Sequence, residues 1–245
     1  MKFDVRTRLF KHPSTVAIGE HSKIIAYPGE TNSPHAAYRN PPNWEMLVWR
    51  RYLRPGDLFV DVGANIGIYT IYLLDLGVRV IAFEPDRHNA DRIRENLRLN
   101  GYTAEVIQKA VADRPGVVRF TEGLDSYNHL VLSGTQGVEV EATTLDAALG
   151  SQLVHGMKVD VEGAERLVLE GAHSALAERR IKLLQLEWTA AAVEATLHED
   201  RRPVADLLRG HGYVFYRPER HRADLHKITG PVPTGTDVFA SACEL

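Results

Sequence analysis

The stretch "DVGANIGIYT", Asp61 to Thr70, decides the fold that we expect for this sequence. It begins inside the apolar run "DLFVDV", which is typical of a short buried strand, and it leads into "GIYTIYLLDLG", which is typical of a helix closed by Gly77. Gly63 and Gly67 permit a tight turn and a close approach to a ligand, and the helix behind them presents unpaired N–H groups. The sequence therefore predicts a ligand-binding turn between the first strand and the first helix of an α/β domain.

Strands and helices continue to alternate along the chain. We predict strands in "VRVIAFE", "AEVIQKAV", "GMKVDV" and "IKLLQLEW", and single helices in "PDRHNADRIRENLRLNG" and "GAERLVLEGAHSALAE". Near the C-terminus, "GYVFYR" and "TDVFASA" are predicted to pair as a hairpin. Alternation at this spacing indicates βαβ units, and therefore a parallel sheet with helices on both faces.

The first 43 residues have a different pattern. Short alternating runs, "FDVRTRLF" and "KIIAYPG", predict a β-hairpin, and the turn-rich "PGETNSPHAAYRNPPN" predicts a loop after it. A helical pattern begins at Trp44. We therefore expect an N-terminal extension over residues 1–43 and one catalytic domain over residues 44–245.

Composition limits the classes of function. The 245 residues are 44% hydrophobic, enough for a full core, and the net charge of −3 includes no long run of one sign. Neither nucleic acid nor an anionic membrane is favoured as a partner, so we expect a small molecule. Cys243 is the only cysteine, which excludes an intrachain disulfide. No signal peptide or membrane span is evident, so we expect a soluble, cytoplasmic protein of undetermined oligomeric state.

Glu84 supplies the second half of the cofactor signal. It ends the second strand, 23 residues after Asp61, where a carboxylate can accept both hydroxyls of a ribose. Asn65 stands where a dinucleotide-binding turn has its middle glycine, so a pyrophosphate is disfavoured. Asp61 suits an ammonium group, and S-adenosylmethionine has that group and a ribose, with its adenine expected on Ala110 and Val111 in the "KAVADR" turn. The alternative is that the glycines serve only strand-to-helix packing and that Glu84 caps the next helix.

Five segments together resemble the motifs of the FkbM family of S-adenosylmethionine-dependent O-methyltransferases. They are "LFVDVGANIGIYT", "VIAFEPD", "KAVADRPG", "ATTLDAAL" and "MKVDVEGAERLVLEGA". The resemblance implies the class I methyltransferase fold, a doubly wound, seven-stranded, mostly parallel, Rossmann-like α/β sheet whose strand seven is antiparallel. It also implies a cofactor turn and ribose acid made of Asp61, Gly63, Asn65, Gly67 and Glu84. Its implied acceptor is a small-molecule hydroxyl, on a sugar or a polyketide-type natural product.

Three acidic residues are candidates for the chemistry of methyl transfer. Asp160 lies at the carboxyl end of the fourth strand, on the same side as Lys158, and is our first candidate for the base or for the group that orients the acceptor. Glu162 has either a catalytic role or a favourable interaction with the following helix N-terminus. Glu187 ends the fifth strand, so Asp160 and Glu187 are expected to face each other, and two carboxylates there are suitable ligands for Mg²⁺. The sequence offers no recognisable third ligand, and a metal is a second cofactor candidate only.

Other residues and other functions stay open at this point. His129 is an alternative base, and Trp188 and Tyr127 are alternative pocket residues. Glu165 is expected either at the surface or in an interaction with the helix dipole. A nicotinamide-dependent oxidoreductase and a non-catalytic cofactor-binding protein are the alternative functions.

Overall fold

The structure, a computed structural model, describes residues 12–28, 43–121, 129–131, 137–188, 201–219, 223–233 and 237–245. Its first strands, β1 (Ser14–Ala17) and β2 (Lys23–Ala26), pair antiparallel and confirm a hairpin in the N-terminal part of the chain. β2 lies in the predicted run "KIIAYPG", but its partner is "STVA". The other predicted run, "FDVRTRLF", lies outside the described residues.

This hairpin packs on two helices of the main domain, α2 (Ile68–Asp75) and α3 (Arg87–Asn100). The Asp75 carboxylate accepts from the amide of Ser22 at 3.3 Å, and Asn96 Oδ1 accepts from the amide of Ile25 at 2.9 Å. Ile18 and Ile24 are fully buried in the hydrophobic cluster that also contains residues of both helices. The described part of the extension therefore shares a core with the rest of the chain, and a domain division at residue 43 stays a prediction.

The first βαβ units have the predicted order. After α1 (Trp44–Tyr52), the strands β3 (Leu58–Val62), β4 (Arg79–Phe83) and β5 (Glu105–Ile107) run parallel, with α2 and α3 as their connections. All five residues of β3 are buried, as expected of a central parallel strand. The Asp86 side chain caps α3, and Gly101 in the left-handed conformation ends it.

The predicted third strand, "AEVIQKAV", is wrong as a single element. β5 ends at Ile107, where a tight turn lets the Lys109 amide donate to the Ile107 carbonyl at 2.9 Å. The chain then leaves the main sheet, and β6 (Ala110–Val111) pairs with β8 (Val138–Thr143). Together with β7 (Gly116–Phe120) these form a separate three-stranded sheet in the order β6-β8-β7, followed by the short helix α4 (Leu145–Leu149).

The predicted helix "GAERLVLEGAHSALAE" is two helices, α5 (Glu165–Glu170) and α6 (His173–Ala177), after the strand β9 (Val154–Val159). The break occurs at Gly171, where a β-carbon would lie 2.1 Å from the Ala112 carbonyl oxygen. The carboxylate of Asp146 then accepts from the amides of Ser174 and Ala175, at 2.7 and 2.9 Å, and so satisfies the start of a new helix. The prediction was wrong because this carboxylate comes from a distant part of the chain.

The C-terminal part completes the main sheet. It comprises the elements β10 (Ile181–Leu186), α7 (Arg202–Gly210), β11 (Val214–Pro218), β12 (Leu225–Lys227) and β13 (Val238–Ser241). The described sheet has eight strands in the order β12-β11-β13-β10-β9-β3-β4-β5. β13 is inserted antiparallel between β10 and β11, which confirms the predicted hairpin pairing and the antiparallel strand seven. The edge strand β12 was not predicted from the sequence.

Helices cover both faces of this sheet. One hydrophobic cluster contains residues of α5, α6 and α7, and the other contains residues of α1, α2 and α3. The doubly wound α/β architecture is thereby confirmed. Within the described ranges, no helix has both the length and the apolar character that crossing a membrane requires.

Candidate active site

A crevice opens at the carboxyl ends of β3, β4 and β9, where ligands bind in open α/β sheets. Its empty volume is about 550 Å³, part of it open to solvent. Seven of the residues selected from the sequence line it: Gly63, Asn65, Glu84, Ala110, Val111, Asp160 and Glu162. Asp61, Gly67 and Glu187 are not among its described lining residues.

The glycine turn between β3 and α2 is shaped first by contacts within the protein. Gly63 has a φ of +79°, and a β-carbon on it would lie 1.9 Å from the Asp160 carbonyl oxygen. The amides of Gly63 and Ala64 both donate to the Phe83 carbonyl oxygen at 3.0 Å. Gly67, with a φ of +86°, is the N-cap of α2. The turn therefore brings the ends of three strands together, and only glycine fits at residue 63.

Glu84 lies beside this turn and is only 4% exposed. Its Oε2 accepts from the amide of Asn65 at 2.7 Å, and its Oε1 accepts from the amide of Asp86 at 2.9 Å. Burial raises the pKa of Glu84 to about 7, although these two amides act to lower it. Each carboxylate oxygen keeps a further lone pair, so a ligand with paired hydroxyl groups can still bind here.

Asp61 is buried, with 1% of its surface exposed. Its Oδ2 accepts from the Thr70 hydroxyl at 2.7 Å, and its Oδ1 has no hydrogen-bond partner among the described residues. Burial raises the pKa of Asp61, and the Lys158 ammonium opposes that rise. This unpaired acceptor is buried and does not line the crevice, and the role of Asp61 toward an ammonium stays a prediction.

Apolar residues also line the crevice. Ala110 and Val111 of β6 are 3% and 4% exposed, and Phe120 and Leu130 line the crevice beside them. A flat aromatic base is the kind of group that such a wall can cover.

Asp160 follows β9 and is held by a buried lysine. The Nζ of Lys158 lies 2.6 Å from Asp160 Oδ2, and the side chain of Lys158 is 8% exposed. Burial acts to lower the pKa of Lys158, but Asp160 and Asp61 outweigh it, so the pKa is raised and the lysine stays charged. The side chains of Lys158 and Asp160 thus share one side of the strand, as the sequence predicted.

The structure brings all three predicted acids together. One oxygen of each of Asp160, Glu162 and Glu187 lies within 4.8 Å of the others. Glu162 reaches this position because the chain turns with a φ of +51° at Glu162 and +100° at Gly163. Burial, followed by the charges of Asp160 and Glu165, raises the pKa of Glu162 to about 7. From the sequence, only Asp160 and Glu187 were considered as metal ligands. The structure adds Glu162 as a possible third.

A further acid at the same edge of the sheet, Asp237, was not predicted from the sequence. It immediately precedes β13, and its Oδ2 accepts from Gln185 Nε2 at 2.6 Å. The fully buried Gln185 is oriented in turn by the Trp49 indole, which donates to its Oε1 at 2.6 Å. Burial, together with the nearby charge of Asp160, raises the pKa of Asp237 to about 6. The available signal was its position near the start of the predicted antiparallel strand "TDVFASA".

Of the two alternatives for Glu165, the surface position is wrong, whereas the residue does lie in the first turn of α5. Glu165 is 0% exposed and forms an ion pair with Arg201, which is 6% exposed. Trp188, at 1% exposed, is a core residue rather than a lining residue of the crevice. His129 pairs with Thr121 and is not among the described lining residues, and Tyr127 lies outside the described residues.

Among solved structures, the fold is similar to that of the 16S rRNA methyltransferase RsmC of T. thermophilus, determined with AdoMet and guanosine. The TM-score is 0.50 at 15% identity, and the likeness covers 94% of this chain and 50% of that one. At this identity the likeness shows the fold alone, which is that of class I methyltransferases.

Two curated proteins are similar in sequence. The 31-O-demethyl-FK506 methyltransferase FkbM of Streptomyces tacrolimicus is 31% identical over 66% of this chain and 74% of its own length. The hexuronic acid methyltransferase AglP of Haloferax volcanii is 30% identical over 49% of this chain and 52% of its own length. Residues 61–215 match the family described as the methyltransferase FkbM domain, and this match covers more than half of the chain. The protein therefore belongs to the FkbM family of methyltransferases.

Proposed function

We propose that the protein is an S-adenosylmethionine-dependent O-methyltransferase that acts on a hydroxyl group of a sugar or a polyketide-type natural product. The observation that carries this proposal is that one crevice joins the buried acid Glu84 to the acids at residues 160 and 162. A methyl donor and a hydroxyl acceptor need such adjacent sites, because the two reacting atoms must come within about 3–3.5 Å.

The cofactor half of the crevice fits S-adenosylmethionine. Glu84 would accept the ribose hydroxyls, and Ala110 and Val111 would cover the adenine. Asp61 does not line the crevice and would attract the ammonium only through its charge. When bound, this cofactor supplies an electrophilic methyl group on a positively charged sulfur. The solved relative of similar fold was determined with the same cofactor, which supports the proposal.

The acceptor half has carboxylates that can orient a hydroxyl and take its proton. Asp160 has one oxygen fixed by Lys158 at 2.6 Å, and its side chain is 36% exposed, so it can accept a hydrogen bond from a ligand. Glu162 and Glu187 lie beside it. Asp160 would orient the acceptor hydroxyl and would take its proton when the oxygen is methylated. The curated relatives are named for 31-O-demethyl-FK506 and for hexuronic acid, so a small-molecule acceptor is consistent with both.

The second candidate function is methyl transfer that is assisted by Mg²⁺. Three carboxylate oxygens within 4.8 Å of one another are of the type that Mg²⁺ binds. Lys158 already neutralises part of the charge of Asp160, however, which reduces the attraction for a cation. We therefore favour transfer without a metal. Loss of turnover in EDTA that Mg²⁺ restores would reverse this preference and assign the three acids as ligands.

The test is an acceptor screen by mass spectrometry. Purified protein is incubated with S-adenosylmethionine carrying a labelled methyl group and with panels of sugars and hydroxylated natural products. We expect the label on an acceptor oxygen, located by NMR. Label on nitrogen or carbon would contradict O-methylation, and binding without any turnover would favour the non-catalytic alternative. A parallel titration with nicotinamide cofactors should show no binding.

A further inference from the structure

A buried ion pair lies behind the crevice, outside its lining. Glu165 of α5 and Arg201, the N-cap residue of α7, are 0% and 6% exposed, and Arg201 Nη1 donates to Glu165 Oε2. Neither side chain reaches the empty volume of the crevice. Any contribution to function therefore has to be made through other residues.

Glu165 holds the loop that carries Asp160 and Glu162. Its Oε1 accepts from the amide of Gly163 at 3.1 Å and from the amide of Val161 at 3.4 Å. These amides flank Glu162, whose φ of +51° is unfavourable for a residue with a side chain. Such a conformation persists only where surrounding contacts determine it. The carboxylate of Glu165 is one such contact on both sides of Glu162.

Arg201 connects this loop to the end of the neighbouring strand. Its guanidinium lies 5.8 Å from the centre of the Trp188 ring, and Trp188 follows Glu187 directly. Through Glu165 on one side and Trp188 on the other, Arg201 therefore links the two segments that carry the three clustered acids. Its charge also reaches Glu162, whose pKa it acts to lower.

The energetics do not favour a role in stability. Nε and Nη2 of Arg201 are buried and have no hydrogen-bond partner among the described residues. Unpaired buried donors are destabilising, and replacing buried ion pairs by apolar residues is often neutral or stabilising. The ion pair therefore fixes the geometry of the loop over residues 160–163 rather than adding to the stability of the fold.

We propose that Glu165 and Arg201 are positioning residues that fix residues 160–163 so that Asp160 and Glu162 line the crevice. The expected effect of these two residues on catalysis rests on the proposed function. Their effect on the conformation of the loop does not depend on any ligand.

Two variants test it. Glu165→Gln keeps the size of the side chain and removes the charge, and the double variant Glu165→Leu with Arg201→Met replaces the pair by apolar groups. We expect the exchange of the Val161 and Gly163 amides, followed by NMR, to become at least about 10-fold faster in both variants. In calorimetry, S-adenosylhomocysteine should bind at least about 10-fold more weakly, while the double variant unfolds at the same denaturant concentration as the wild type or a higher one.

The matched control is Glu170→Gln. Glu170 lies on the same helix and pairs with Arg166 at 2.8 Å on the exposed side, so exchange and affinity should stay unchanged. The inference is overturned if both pair variants retain wild-type exchange at residues 161 and 163 and bind S-adenosylhomocysteine within twofold of the wild type. If the wild type itself binds no S-adenosylhomocysteine, the proposed function fails, and the exchange rates alone decide the positioning role.

Discussion

At the scale of single residues, the crevice depends on backbone segments that approach more closely than a side chain permits. Gly63 faces the carbonyl oxygen of Asp160, so the cofactor turn and the acidic loop are in direct contact. A displacement of the backbone at either residue is therefore transmitted to the other. This contact explains why one glycine affects both halves of the proposed site.

Gly63→Ala should be far more destabilising than a matched change at Gly56. Both glycines have a positive φ, +79° and +89°, so alanine is strained at both by about 1–2 kcal/mol. Only at Gly63 would the new β-carbon meet a backbone atom, at 1.9 Å, whereas Gly56 has nothing within 4 Å. We expect Gly63→Ala to lose at least about 3 kcal/mol of unfolding free energy, or to fail to fold. Equal stabilities of the two variants in denaturant titrations would contradict this account of the turn.

Asp160→Asn should separate binding from chemistry. Asparagine keeps the shape of the side chain but cannot take the acceptor's proton, so turnover on a confirmed acceptor should fall by roughly 10²–10⁴ while the affinity for S-adenosylhomocysteine changes little. Asp206→Asn, a change at an exposed acid of α7 that does not line the crevice, is the control and should leave turnover unchanged. Near-normal turnover in Asp160→Asn would remove this residue from the mechanism.

At the scale of elements, local patterns predicted the parallel units well and the connections less well. Strands β3, β4, β9 and β10 were predicted because a strand buried on both faces is a continuous apolar run. The split of "AEVIQKAV" and the break before α6 depend on partners far along the chain, the strand β8 and the carboxylate of Asp146. No local pattern contains that information.

The N-terminal hairpin should contribute to global stability through Asn96. This fully buried side chain accepts from the Ile25 amide of β2 and donates to the Ile66 carbonyl in the glycine turn, both at 2.9 Å. Asn96→Ala leaves both backbone groups unpaired, and we expect a loss of roughly 2–4 kcal/mol in the free energy of unfolding. Asn100→Ala, one turn later, removes bonds to Lys23 of the same hairpin that lie near solvent, and its loss should stay under about 1 kcal/mol. Both losses are measured by unfolding in urea. If Asn100→Ala loses as much stability as Asn96→Ala, Asn96 is not the residue that attaches the hairpin to the domain.

At the scale of the whole molecule, the site combines residues that the sequence separates widely. Glu84, Asp160 and Glu187 could be selected because each follows a predicted strand at the same edge of the sheet. Asp237 and Arg201 were missed because their places depend on the inserted strand β13 and on the start of α7. Their partners, Gln185 and Glu165, are buried, and burial of a polar side chain cannot be read from its neighbours in sequence.

Buried acids should also make the stability of the whole protein depend on pH. The pKa values of Glu84 and Glu162 are raised to about 7, and that of Asp237 to about 6, so the folded state binds more protons than the unfolded state above about pH 4. The contribution of these three acids to the free energy of unfolding is fully present below the pKa values that they have in the unfolded state. It is lost as the pH rises through their folded-state values of about 6 to 7. We expect the ligand-free protein to lose roughly 4–7 kcal/mol of unfolding free energy between pH 5 and about 7.5. Glu84→Gln should flatten this slope, and a stability that rises over the same range would contradict the assignment.

The most direct test of the account is the affinity of S-adenosylhomocysteine at Glu84, measured by isothermal titration calorimetry at about pH 8, where this carboxylate is ionised. The wild type should bind, and Glu84→Ala should lose on the order of 2–4 kcal/mol because two hydroxyl hydrogen bonds to a charged acceptor disappear. Glu105→Ala, at an exposed acid of β5, should bind as the wild type does. Binding by Glu84→Ala that equals the wild type would place the cofactor elsewhere and contradict the proposed site.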